Sequence, residues 1–214
     1  MNNKTANIFY FLLPLFLLAC LMTIALINYP IVFYKAKETV ITVFTAIIIY
    51  VLLWTFIKPD AFSRNGGLLI GFLFIANISI EEFIDWQTKT GTLVSTLSMM
   101  FLIFISFSII SGIRTFKTQN ILQGIKSSFF SSLLGTLIAL CFGFLIDFVF
   151  SNRMVHALTN YPGFKNYNDP KAFTFYNSFD NASNHVIIAP IVSIIMGTLG
   201  GAIALIVLRL RNRK

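Results

Sequence analysis

The sequence predicts an all-α, polytopic membrane protein: a bundle of six transmembrane helices. Three observations predict it. Apolar residues make up 57% of the chain and charged residues only 11%, far from the balance of a water-soluble fold. Several apolar runs reach the roughly 20 residues that a helix needs to cross a hydrocarbon core of roughly 30 Å. The basic residues behind the net charge of +8 gather at the ends of those runs, as they do in membrane proteins. They form no patch or stripe of the kind that binds nucleic acid. All 214 residues therefore read as one transmembrane domain, 1–214, whose first partner is the lipid bilayer, with no nucleic-acid partner expected.

The first run, 8–27, carries no charge and is too long for the apolar core of a cleaved signal peptide. Within it, Leu17-Leu18-Ala19-Cys20 resembles the box at which bacterial lipoproteins are cut and acylated. The chain then continues Leu21-Met22-Thr23-Ile24-Ala25-Leu26-Ile27 instead of a polar tether, so the run is read as a span. Pro14 kinks it or sits near its start. A connector with Pro30, Lys35, Lys37 and Glu38 leads to the second run, 39–57. Its β-branched residues would suit a strand, but its length is that of a helix, and Trp54 fits the interfacial aromatic belt.

The third run, 67–80, has only 14 apolar or small residues before Glu81, Glu82 and Asp85. It spans if its acidic end reaches the interface; the alternative is five spans with a re-entrant third. The fourth, 92–113, mixes apolar residues with Ser95, Ser98, Ser106, Ser108 and Ser111, hydroxyls suited to bonding their own backbone or a neighbouring helix. The fifth and sixth runs are 127–150 and 186–208.

Charge chooses between the alternatives. With six spans one side carries Lys4, Lys58, Arg64, Arg114, Lys117, Lys126, Arg209, Arg211, Arg213 and Lys214, ten against six for Lys35, Lys37, Lys89, Arg153, Lys165 and Lys171. If the third run does not cross, the split becomes nine against seven. The six-span arrangement thus has the clearer bias. The positive-inside rule then puts both termini in the cytoplasm, and the expected location is a bacterial-type cytoplasmic membrane.

The last two runs carry rows of small residues. Every fourth residue of the fifth gives Ser127, Ser131, Gly135, Ala139, Gly143 and then Asp147; the sixth gives Ala189, Ser193, Gly197 and Gly201. Small residues let helix backbones approach closely in lipid, so these rows predict that the fifth and sixth helices pack on each other. A row of period four drifts about 40° per step around a helix of 3.6 residues per turn, so only part of it faces one partner.

Asp147 is the residue with chemical promise. A carboxylate inside a span costs roughly 2.5–3.5 kcal/mol at the bilayer centre, less near an edge, and ordinarily faces the bundle or a wet cavity with a partner. His185, Asn184 and Arg153 are its candidate partners, and an Asp147–His185 pair would titrate near neutral pH. The ion or substrate candidates are therefore Asp147, His185 and Arg153, with Glu81 and Glu82 at a solvated helix end. The outer-side loop or cap, 151–185, is rich in Asn and aromatics and too long for a structureless loop; within it 172–176 reads as a short strand or an interfacial segment.

Glu81-Glu82 followed by His156-x-x-x-Asn160 resembles the membrane-embedded proteases that process prenylated proteins, which implies Glu and His activating a water. That family also has an arginine four residues after the second glutamate, where this chain has Trp86, and a further histidine between the motifs, which is missing. No metal-ligand spacing is present, and Cys20 and Cys141 both lie inside apolar runs. No cofactor is expected. The expected activity is that of a small transport-related or transport-accessory protein; the alternative is a structural or regulatory partner that binds another membrane protein or a second copy through its outer loop, and the third is an intramembrane hydrolase.

Overall fold

A computed structural model describes residues 3–83, 89–158 and 164–211. The chain forms α1 (Asn3–Asn28), α2 (Pro30–Lys35), α3 (Lys37–Ile57), α4 (Ala61–Phe83), α5 (Lys89–Thr118), α6 (Ile121–Val149), α7 (Ser151–Leu158), a 3-10 turn at Phe164–Asn166 and α8 (Pro170–Arg211). Six of these, α1, α3, α4, α5, α6 and α8, are long and apolar enough to cross a membrane. Their outward faces carry side chains such as Phe16, Ile27, Ile48, Phe56 and Ile203, each more than half exposed. Such a surface would aggregate in water and matches acyl chains in a bilayer.

The third run is a full-length helix. It starts ahead of its apolar stretch because Asp60 caps it: the carboxylate accepts from the Ser63 backbone N–H at 2.9 Å and the Ser63 hydroxyl at 2.8 Å, satisfying donors that the first turn leaves open. The short turns that precede α4 and α6 use left-handed residues, Lys58 (φ 51°) and Gln119 (φ 55°). Asn120 then caps α6 by accepting from Leu122 N–H at 2.9 Å and Gln123 N–H at 3.4 Å.

The last helix corrects the expected outer loop. Residues 172–176 are helical, and α8 passes through His185 without a break. At 42 residues and about 1.5 Å per residue, it is about twice as long as a hydrocarbon core is thick. The reason is a stripe of buried residues at spacings of three and four, Ala172, Phe175, Phe179, Ala182, Val186 and Ala189, which keeps one helical face against the bundle. Asp169 caps its start, accepting from Lys171 N–H at 2.9 Å. Pro190 is inside this helix and cannot donate to the carbonyl of Val186. The Tyr50 hydroxyl of α3 donates to that carbonyl at 2.7 Å, so the freed group is satisfied inside the membrane.

The most enclosed span is α6, which packs against α1, α4, α5 and α8. It lies antiparallel to α8 in constant register: Ile121 meets Gly201, Ile125 and Ser128 meet Gly197, Phe144 meets Phe179, and Asp147 meets Ser178. The fifth and sixth spans are therefore neighbours, as the small-residue rows predict, but the row on α6 faces elsewhere. A Cβ on Gly135 would stand 2.5 Å from Ile70 Cγ2 and 3.2 Å from the Gly71 backbone N of α4, and Ser131 Oγ donates to the Ser63 carbonyl at 2.9 Å. Gly143 has open space around its Cα. The period-four drift accounts for this: three steps of about 40° turn the row from α4 at Gly135 to α8 at Asp147. On α8, Ser193 and Gly197 do face α6, with Ser128 Oγ donating to the Ser193 carbonyl at 3.1 Å. Ala139 and Ala189 are buried.

The serines of α5 bond across helices where they face one. Ser108 Oγ donates to the Met196 carbonyl at 2.8 Å and Ser111 Oγ to the Gly197 carbonyl at 2.6 Å, whereas exposed Ser106 bonds its own helix at Leu102. Closest of all is Gly200, where a Cβ would stand 2.0 Å from the Ser108 carbonyl oxygen; only glycine allows α5 and α8 to meet there.

Two outcomes check this packing. Gly135→Ala should lower stability by about 1–3 kcal/mol through overpacking, while Gly143→Ala should be neutral or raise it by up to about 1 kcal/mol through helix propensity; equal unfolding midpoints in detergent would refute the assignment of the row to α4. Tyr50→Phe should cost about 0.6–1.7 kcal/mol, and in a Pro190→Ala background, where the Val186 carbonyl regains its backbone donor, the same change should cost less.

Candidate functional site

The C-terminal end of α6 is an awkward place for a carboxylate. Asp147 is 6% exposed and sits in the last turn of its helix, where the negative end of the macrodipole opposes a negative charge and burial opposes any charge at all. Backbone donors are not to hand there, since the amides of the last turn are committed to carbonyls one turn back, as with Phe150 N–H to Ile146 at 2.7 Å. A side-chain donor is required. The Ser178 hydroxyl of α8 donates to Asp147 Oδ2.

Aromatic pairs hold the two helices together around this bond. Phe144 and Phe179 meet edge to face at 4.9 Å, and Phe148 lies against Phe175 at 4.6 Å. Beyond them lies an aromatic layer at the same end of the bundle: Tyr29 stacks on Phe175 at 5.0 Å, and Tyr167 touches Phe173 at 5.3 Å and Tyr176 at 5.5 Å. Lys35 Nζ lies 4.3 Å from the centre of the Tyr167 ring, a cation–π contact that ties α2 to the layer. Burial, reinforced by Tyr176, pushes the Tyr167 phenol up to about 12, and burial with the negative charge of Asp169 raises Tyr29. Both phenols therefore stay neutral at physiological pH and cannot serve as proton carriers there.

The other predicted residues are dispersed. His185 lies seven residues beyond Ser178, about 10 Å farther along α8 at 1.5 Å per residue, exposed, with its ring edge-on to Phe74 of α4 at 6.0 Å. The residue level with Asp147 is thus Ser178, and the expectation that Asp147 and His185 share a depth is corrected: α8 begins at Pro170, so His185 is not at its N-terminal end. Arg153 stands on the exposed side of α7, its backbone N–H donating to the Phe150 carbonyl at 2.9 Å. Glu81 and Glu82 fall in the last turn of α4. Their side chains lie outside the described residues, as do Trp86, Asn160 and the side chain of His156, on which the protease-like motif depends. Among the described residues no group of three His, Cys, Asp or Glu could hold a metal ion.

Ser178 was not among the sequence candidates, because it sits in a polar, Asn-rich stretch that reads as loop. The signal that could have found it is the Ala172, Phe175, Phe179, Ala182 stripe, which makes the stretch helical and sets Ser178 beside it. At the opposite end of the bundle a second polar group, also outside the candidate set, joins α4 to α5: Asp60 pairs with Arg114, and the Phe62 ring lies 5.7 Å from both Arg114 and Lys117.

Chemically, the site holds a buried carboxylate to which the Ser178 hydroxyl donates. If Ser178 and Asp147 act as a unit, Ser178→Ala and Asp147→Asn should show a coupling of about 0.5–3 kcal/mol in a double-mutant cycle of detergent unfolding; strictly additive costs would mean that the bond contributes nothing. No protein family, curated protein or solved structure matches this chain.

Proposed function

We propose that this multi-pass membrane protein is a small transport-related or transport-accessory protein in which Asp147 binds a proton or small cation near the outer end of the bundle. One observation carries the reading: a carboxylate 6% exposed is kept inside a membrane bundle, on its most enclosed helix, facing a hydroxyl donor. Ionisable groups in spans are costly, and where they occur they mark substrate, ion or proton pathways as the default hypothesis. The charge bias of the connectors supports cytoplasmic termini in a bacterial-type membrane, which puts Asp147 on the outer side, with Arg153, His185, Glu81 and Glu82 as further polar groups of that half. In the second reading the protein carries no solute and the outer end binds another membrane protein or a second copy; the ordered aromatic layer around Tyr167 and Phe173 favours it.

The two readings separate on ion flux. In proteoliposomes carrying an imposed membrane potential, the wild-type chain should move protons or sodium, read by an internal indicator dye, and Asp147→Asn should cut the flux at least tenfold while Asp147→Glu retains part of it. Equal flux through the wild type and Asp147→Asn would end the transport reading and leave the partner reading.

A further inference from the structure

Beyond the reading of Asp147, the opposite half of the molecule carries a site of its own. Where α5 and α8 cross at Gly112 and Gly200, their outward faces leave a groove of about 480 Å³, within the usual range of ligand pockets, about 300–1,000 Å³. Gly112 and Gly200 bring the backbones together at its floor, and the Ser108 hydroxyl that also lines it donates to the Met196 carbonyl at 2.8 Å. Its walls are apolar, with Phe116, Ile203 and Val207 exposed to the surface that a bilayer covers. At one end stands a cation, Lys117.

That end of the bundle is strongly basic. Lys58, Arg64, Arg114, Lys126, Arg209 and Arg211 belong to the same end, and among the described residues its one acidic side chain, Asp60, is occupied by Arg114. Lys117 has no carboxylate partner among the described residues, only the Phe62 ring at 5.7 Å. The groove thus has an apolar lining and a cation at its edge, at the basic end of the bundle, the pattern by which basic pockets between helices take anionic lipid headgroups.

We infer that the α5–α8 groove is a binding site for an anionic phospholipid, one acyl chain lying over Gly112 and Gly200 and the phosphate meeting Lys117. Charge complementarity selects the lipid over a second copy of the chain, whose matching surface would bring Lys117 and the Arg209–Arg211 end against their own kind. The groove is thus a place where membrane composition acts on the α5–α8 contact.

The test uses the full chain in nanodiscs of mixed phosphatidylcholine and phosphatidylglycerol, with retained lipid read by native mass spectrometry. The wild type should keep phosphatidylglycerol in preference to phosphatidylcholine. Lys117→Ala, at an exposed position, should weaken that preference about fivefold, the worth of one surface cation, while Lys126→Ala, at the same end but outside the groove, should leave it intact. Val207→Trp, which fills the groove, should expel the lipid; if that variant does not fold, the two lysine variants decide alone. Equal retention of both lipids, an equal loss in Lys126→Ala, or a lipid-free species of two chains would overturn the proposal.

Discussion

Inside a bilayer nothing pushes two apolar helices together, so this bundle exists only where backbones come close enough for dispersion contact and where hydroxyls reach backbone carbonyls. Both requirements converge on α6 and α8. Glycine permits contacts that a larger residue would block at Gly135 against α4 and at Gly200 against α5, and it eases a close approach at Gly197 against α6. Hydroxyls of Tyr50, Ser108, Ser111 and Ser128 then donate to α8 carbonyls from three different helices. The carbonyl left open by Pro190 is among those filled.

The candidate site is a product of that scaffold. Because α6 and α8 keep one register over their whole shared length, the residue opposite Asp147 is fixed many turns away, by glycine contacts at the other end of the bundle. The buried carboxylate therefore meets a serine in a helix about twice as long as a hydrocarbon core is thick, with aromatic pairs of the same two helices beside it. The same helix, at its other end, forms the apolar groove beside Lys117. A single long element thus connects two chemically different places: an acidic, enclosed one and a basic, lipid-facing one.

How much of this was legible before any coordinates depended on the range of the interactions. Length and hydropathy are local properties, so the six spans could be read directly, including the third, once connector charge was added. The row of small residues on α6 was also visible, but not its destination: its drift could be calculated from helix geometry, whereas which neighbour waits at each angle depends on how five other helices are arranged. The stretch around Ala172 to Ala182 misled for a different reason. Its asparagines suggest turns when taken one by one, and only the buried face on the bundle side makes them the solvent side of a helix.

By itself the sequence determined that this is a helical membrane protein, where its spans lie, and that an acidic residue stands near the end of one of them, because each of these follows from the composition of a contiguous segment. The tertiary structure alone decided that Ser178 meets Asp147, that Gly135 of α6 serves α4, and that α5 and α8 leave a groove ending in Lys117. Those are facts of rotation and register between helices, and in lipid, where the hydrophobic effect does not sort one helix face from another, they are set by the fit of small side chains and carbonyl partners drawn from distant parts of the chain.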